Sequence, residues 1–190
     1  MTASEMRLVR PAMEHLPSYA AALGRGWAPD NTRGRTAAEE QLEWIGRDPH
    51  GFRASLDDPE AKGAPVKLPD GSTVPRLPGF VRWMWEREVC GSIGFRWQPG
   101  TAALPPHVLG HIGFSVVPWR RREGLGTRAL ALMLEEARLC GLPYVEITTD
   151  LDNRASQGVI EANGGILVER FTKLPAQGGA PALRFRIALD

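Results

Sequence analysis

The stretch Val116-Val117-Pro118-Trp119-Arg120-Arg121-Arg122-Glu123-Gly124-Leu125-Gly126-Thr127 is the part of the chain best suited to chemistry. Its β-rich start predicts the end of a strand, Pro118 a turn, and the periodic residues from Gly124 onward a helix. The first turn of a helix carries unpartnered backbone N–H groups and the positive end of the dipole. Glycines at 124 and 126 remove side chains there, so an anion can approach the amides closely. Three consecutive arginines oppose the dipole when no anion is present. The arrangement therefore makes better sense around a bound anion than as a source of stability. No Gly-Lys-Ser/Thr follows, so the run is not a Walker A loop, and the full dinucleotide-binding glycine pattern is absent too.

Other residues could move protons. His111 begins the strand that leads toward this loop, and its ordinary pKa near neutrality suits a general base. A histidine satisfied by backbone or water at a strand end is the plainer alternative. Glu86 and Glu88, after the strand opened by Phe80, and Asp150, after the run from Tyr144, are competing carboxylates. Asn153 suits a helix cap, and Ser156 follows in the first turn of that helix. Cys90 and Cys140 are far apart, lie in no metal-ligand spacing and share no motif with histidine. They read as reduced thiols in a cytosolic protein, and neither a metal site nor a covalent cysteine intermediate is indicated.

The elements that must position these groups can be placed from periodicity and breakers. A short strand spans Met6 to Arg10, and a helix spans Met13 to Leu23. Thr36 with Glu39 forms a capping-box pattern for a second helix, with Leu42, Trp44 and Ile45 as candidate buried residues. A third helical piece falls near Phe52. From 57 to 79 the chain is rich in Pro, Gly and Asp, with Asp70-Gly71 as a turn; this irregular stretch is a candidate substrate lid. Strands follow at Phe80 to Arg87 and Ser92 to Trp97, around a turn near Cys90-Gly91, and then at Val108 to Val117. A helix from Gly124 to Leu139, a strand from Tyr144 to Thr149 and a helix from Asn153 to Asn163 come next. Ile166 to Phe171 and Leu183 to Leu189 are the closing strands. This order predicts one α+β domain over residues 1–190, with a mostly antiparallel sheet flanked by helices. Trp27, Trp44, Trp83 and Trp85 are read as core before they are read as an ammonium-binding box, and Arg82 points to the opposite strand face from Trp83.

The 190 residues carry a formal net charge of +1, which gives no electrostatic case for nucleic acid or an anionic membrane. The stretch from Trp97 to Trp119 lacks Asp, Glu, Lys and Arg, but Pro99, Pro105, Pro106 and Pro118 break it, so it is not a membrane span. No signal peptide is visible, which points to a cytoplasmic protein.

The loop resembles the pyrophosphate loop of the GCN5-related N-acetyltransferase superfamily, with Arg121, Gly124 and Gly126 matching its Gln/Arg-x-x-Gly-x-Gly/Ala motif. Gly110 to Val116, Asp152 to Ser156 and Glu161 to Gly165 are similar to a poorly characterised bacterial branch. The resemblance implies a sheet splayed between the fourth and fifth main strands, Val108 to Val117 and Tyr144 to Thr149. It implies acetyl-CoA as donor, with backbone amides of Arg122, Glu123, Gly124, Leu125, Gly126 and Thr127 on the pyrophosphate. Backbone groups of Phe114, Ser115 and Val116 would pair with the pantetheine arm, and Asn153 would hydrogen-bond it. Many members carry a tyrosine as general acid where this chain has Ile160; Ser156, on the same helix face, could donate instead or hold a water. The implied reaction is direct attack by a primary amine of a small molecule or peptide; the alternative is a non-catalytic acyl-CoA-binding or sensing module. A homodimer is left open.

Overall fold

A computed structural model describes residues 5–68 and 70–189. The chain opens with β1 (Arg7–Val9), α1 (Leu16–Gly24), α2 (Arg35–Arg47) and α3 (Pro49–Ser55). Three short strands follow, β2 (Asp57–Asp58), β3 (Val66–Lys67) and β4 (Thr73–Val74), and then β5 (Gly79–Trp85), β6 (Val89–Arg96) and β7 (Ile112–Val116). A 3-10 turn at Pro118–Arg120 leads into α4 (Leu125–Arg138), followed by β8 (Tyr144–Asp150), α5 (Arg154–Ala162), β9 (Ile166–Thr172) and β10 (Pro181–Ala188).

The strands form two main sheets. One runs β1-β5-β6-β7, antiparallel throughout, with β2 also paired to β5; the other runs β8-β10-β9. The splay falls between β7 and β8, as the fold class predicts. One face of the first sheet packs on α4 through Met84, Ile93, Phe95 and Ile112 against Leu130 and Met133, all buried. The other face packs on the first helices, where Tyr19 stacks on Trp83 with ring centroids 4.5 Å apart. Trp27 and Trp83 are buried core residues. Arg82 takes the α4 side, where its guanidinium meets Glu136 at 2.8 Å and Asp57 at 3.7 Å. A buried arginine is tolerable only when paired in this way.

Four local readings need correction. The N-cap of α2 is Gly34, with φ +52 and no side-chain cap, in place of the Thr36 box. The approach to the helix is fixed instead by Asp30, which accepts from the N–H groups of Thr32 and Arg33, while Glu39 pairs with Arg35. Trp44 is exposed, because Ala37 and Ala38 are the residues that α2 buries. The turn after β5 falls at Glu86–Glu88, and Gly91 lies within β6. A Cβ there would meet the Ser115 carbonyl oxygen at 2.4 Å, so Gly91 permits a close approach of strands and does not mark a turn. The 57–79 segment is less irregular than its composition suggests: β3 and β4 form a hairpin about Asp70–Gly71.

Candidate active site

The two sheets touch at one end and separate toward the other, leaving a cleft of about 110 Å³ lined by Ile112, Gly113, Phe114, Thr149, Asn153 and Ser156 among others. His111 holds the closed end. Its backbone N–H donates to the Glu146 carbonyl at 2.7 Å, and its Nδ1 accepts from the Glu146 N–H at 2.9 Å. Thr148 Oγ1 donates to the Leu109 carbonyl beside it. Gly110 makes the approach feasible, since a Cβ there would lie 3.0 Å from the Glu146 carbonyl oxygen. His111 is fully buried, and burial lowers its pKa against the opposing pull of Glu146. The histidine read as a general base thus has its Nδ1 lone pair engaged by a backbone amide and no surface open to the cleft.

Hydrogen-bond phase decides which backbone groups of β7 face the cleft. Arg96 N–H donates to the His111 carbonyl, and Val117 N–H donates to the Cys90 carbonyl. In an antiparallel pair, bonded residues alternate, so 111, 113, 115 and 117 bond β6, while Phe114 and Val116 turn toward β8. This corrects the expectation for Ser115. Its backbone belongs to the sheet, and its Oγ accepts from Trp27 Nε1 and donates to the Ala28 carbonyl, both at 3.0 Å. Asn31, not foreseen from the sequence, donates from Nδ2 to the Phe114 carbonyl at 3.1 Å. The Phe114 and Val116 N–H groups remain as cleft-facing donors.

Beyond the open end of β7, the chain turns into α4. Gly124 is its N-cap at φ +76, no side chain caps the helix, and a Cβ at Gly124 would meet nothing within 4 Å. The first-turn amides have no side-chain cap, and Gly126 sets this turn against Phe114, a residue of the cleft. Arg122 also has a positive φ, +67, a conformation costly for a non-glycine residue. Arg121 folds its Nε back to within 3.4 Å of the Val116 carbonyl. Arg120 is held by Glu86 and Glu123, each at 2.8 Å, so its charge is already matched and Glu86 is engaged at the same time. Gly126 serves packing, since a Cβ there would meet Val159 Cγ2 at 3.3 Å and Phe114 Cε2 at 3.8 Å.

On the far wall, Asn153 Oδ1 accepts from the Ser156 N–H at 3.1 Å and so caps α5. Its Nδ2 has no partner among the described residues and is left for the cleft. Ser156 is half-buried on the cleft wall. Ile160 is fully buried in the core that α4 and α5 share. Asp150 is bound to Lys173 Nζ at 2.6 Å, while Glu88 is exposed beside the β5–β6 turn. A second cavity, about 310 Å³, opens beyond the closed end between β5, β6 and the 55–77 segment. Among the described residues, no group of His, Cys, Asp and Glu is arranged to hold a metal ion, and no helix is long and apolar enough to cross a membrane.

A splayed sheet with an uncapped, glycine-opened helix start at its mouth defines an acyl-CoA transferase architecture, and residues 35–164 match the acetyltransferase (GNAT) family. That is more than half of the chain, which therefore belongs to this family. Solved structures agree on the fold. The Salmonella typhimurium acetyltransferase that modifies the N-terminal serine of 50S ribosomal subunit protein L7/L12 superposes with a TM-score of 0.64 at 15% identity, covering 100% of this chain and 97% of that one. The putative acetyltransferase yncA of Salmonella typhimurium, solved with acetyl-CoA, gives 0.57 at 16% identity over 100% and 95%. The microcin C7 self-immunity acetyltransferase MccE, solved with acetyl-CoA and AMP, gives 0.56 at 12% over 99% and 97%. No curated protein sequence matches significantly.

Proposed function

We propose that this protein is a cytosolic N-acetyltransferase that moves the acetyl group of acetyl-CoA to a primary amine. The observation that carries the reading is the open, uncapped first turn of α4 at the mouth of the cleft between β7 and β8. Amides of residues 122–127 receive the pyrophosphate, where the dipole and the exposed Arg121 and Arg122 favour it. The pantetheine lies along the free edge of β7, meeting Phe114 and Val116 on one side and Asn153 Nδ2 on the other.

The amine nitrogen attacks the thioester carbonyl carbon directly. A C–N bond forms, the C–S bond breaks, one amine proton is lost to water, and coenzyme A leaves as a thiol or thiolate. Negative charge developing on the carbonyl oxygen falls within reach of the β7 donors, with the Phe114 N–H nearest the closed end. Ser156, on the cleft wall, donates to the departing sulfur or holds a water that does so. We assign His111 to joining the sheets. The Salmonella typhimurium neighbour modifies the N-terminal serine of a ribosomal protein, which supports an amine acceptor as a class.

A thiol-release assay with acetyl-CoA against amines, amino acids, peptides and aminoglycosides tests the reading. Amine-dependent release is expected. Tight acetyl-CoA binding without release for any acceptor would return the protein to a binding module, and no binding at all would remove the cradle assignment.

A further inference from the structure

Several arginines packed along the sheets and the α4 turn are matched by carboxylates. Arg82 meets Glu136 and Asp57, Arg120 meets Glu86 and Glu123, and Arg184 and Arg186 both meet Glu146. Arg96 is different. At the end of β6, its guanidinium has no hydrogen bond and no ion pair among the described residues, and it lines the 310 Å³ cavity. It is exposed, yet enough protein surrounds it that desolvation lowers its pKa, with Asp30 opposing the shift. An unpaired, exposed guanidinium on the wall of a concavity is open to a ligand. Asp30 makes no ion pair with it and is already occupied by the N–H groups of Thr32 and Arg33.

The other charges of the cavity are used by the segment that covers it. Asp58 accepts from the N–H groups of Lys62 and Gly63 and faces Arg76 Nε at 3.9 Å. Arg76 donates to the Ala64 carbonyl. The remaining wall is largely apolar, with Leu56, Leu77, Val81 and Val108. Arg96 also stands where cavity and cleft meet. The Cβ position of Gly113, a residue of the cleft, is 3.9 Å from Arg96 Nη2.

We propose that Arg96 anchors a carboxylate of the acceptor, and that the acceptor is a small amino acid whose apolar side group fills the cavity beneath the β3–β4 hairpin. The proposal rests on the acetyl-transfer reading. A planar guanidinium binds a carboxylate through two parallel hydrogen bonds. Such an anchor beside Gly113 places an α-amine next to the Phe114 edge of β7, where the thioester is expected. A cavity of 310 Å³ is at the small end of ligand sites, which favours a free amino acid over a peptide.

Titration calorimetry can test this without turnover. Coenzyme A is added first; failure to bind it would sink the acetyl-transfer reading itself. The CoA-loaded protein is then titrated with N-acetylphenylalanine and N-acetylleucine, with their primary amides, and with an N-acetylated aspartyl peptide amide. The free acids are expected to bind about 10- to 100-fold more tightly than the amides, the range of a hydrogen bond to a charged group. Arg96→Gln should bring that ratio to about one, and Arg96→Lys should restore part of it. Circular dichroism checks that each variant folds, and Arg96→Lys carries the test if Arg96→Gln does not fold. Equal binding of acids and amides to the wild type, no binding of either, or a ratio unchanged in the variants would overturn the proposal. So would preference for the peptide, whose carboxylate sits on a side chain.

Discussion

The loop at the start of α4 offers the N–H groups of consecutive residues, whereas the cavity beside Arg96 takes its walls from Leu56, Leu77, Val81 and Val108, which the fold brings together from separate elements. The first site is made of backbone, so its binding property survives most side-chain changes and depends on the two or three positions that set the conformation. The second is made of side chains, and each wall can change without disturbing the main chain. A donor common to a family suits the first construction and an acceptor particular to one member suits the second. His111 and Gly113 lie between them, and the two sites are coupled to the extent that this junction is rigid.

The largest effect is expected from breaking that junction. His111→Ala leaves the Glu146 N–H unsatisfied in a buried place and opens a void, at a cost of about 3 kcal/mol. Thermal unfolding should fall by roughly 6 to 12 °C in a domain of this size. The pH dependence gives an independent reading. Burial lowers the folded-state pKa of His111 below its ordinary value of 6.5, so below that value the unfolded chain binds more protons than the native one. Wild-type stability should therefore decline as pH falls from 6.5 toward the lower folded value, and His111→Gln should flatten that part of the curve. A wild-type Tm independent of pH between 5 and 7 would count against the clamp.

Next come the two glycines, which the structure separates. Gly124→Val places a side chain in open space but at φ +76, so it should lower acetyl-CoA affinity about 10- to 100-fold by disturbing the amides, with roughly 1–2 kcal/mol lost in stability. Gly126→Val meets Val159 and should act first on the α4–α5 packing, lowering Tm by a few degrees as overpacking does. Paired calorimetry and thermal melts on both variants would show whether one glycine serves the ligand and the other the packing. Similar losses of affinity and stability in the two would erase the distinction.

The contrast in construction also explains what could be read from the chain before folding. The proposed cradle is contiguous, so Arg121, Gly124 and Gly126 mark it at fixed spacing, and the element order around it follows from periodicity. Asn31 and Arg96 leave no such signal. Asn31 matters because the loop after α1 lies on β7, and Arg96 matters because Gly79 and Gly113 lie beside it without side chains. Those are consequences of strand register, which local pattern does not specify. His111 was visible, but its role was not. Whether a strand-end histidine faces a cleft or a neighbouring strand depends on the bend at Gly110 and the partner Glu146, 35 residues away. The Ser115 backbone is taken up by the sheet for a related reason, because alternation in an antiparallel ladder assigns every second backbone unit to β6. Arg120 shows the same limit in charge, since only the folded turn brings Glu86 against it.

The smallest expected effect concerns Asn153, where the two readings of one side chain divide between its two atoms. Oδ1 caps α5 and Nδ2 is left toward the cleft. Asn153→Ser keeps a good N-cap oxygen but loses the amide donor, so stability should stay within about 0.5 kcal/mol. The Michaelis constant for acetyl-CoA should rise by about 2- to 10-fold, the scale of one neutral hydrogen bond. Asn153→Ala loses both functions and should add about 1 kcal/mol of destabilisation to the same kinetic defect. Equal Michaelis constants for Asn153→Ser and the wild type would make the residue a cap alone. The donor side would then rest on the α4 amides and the free edge of β7, with no side chain of α5 contributing.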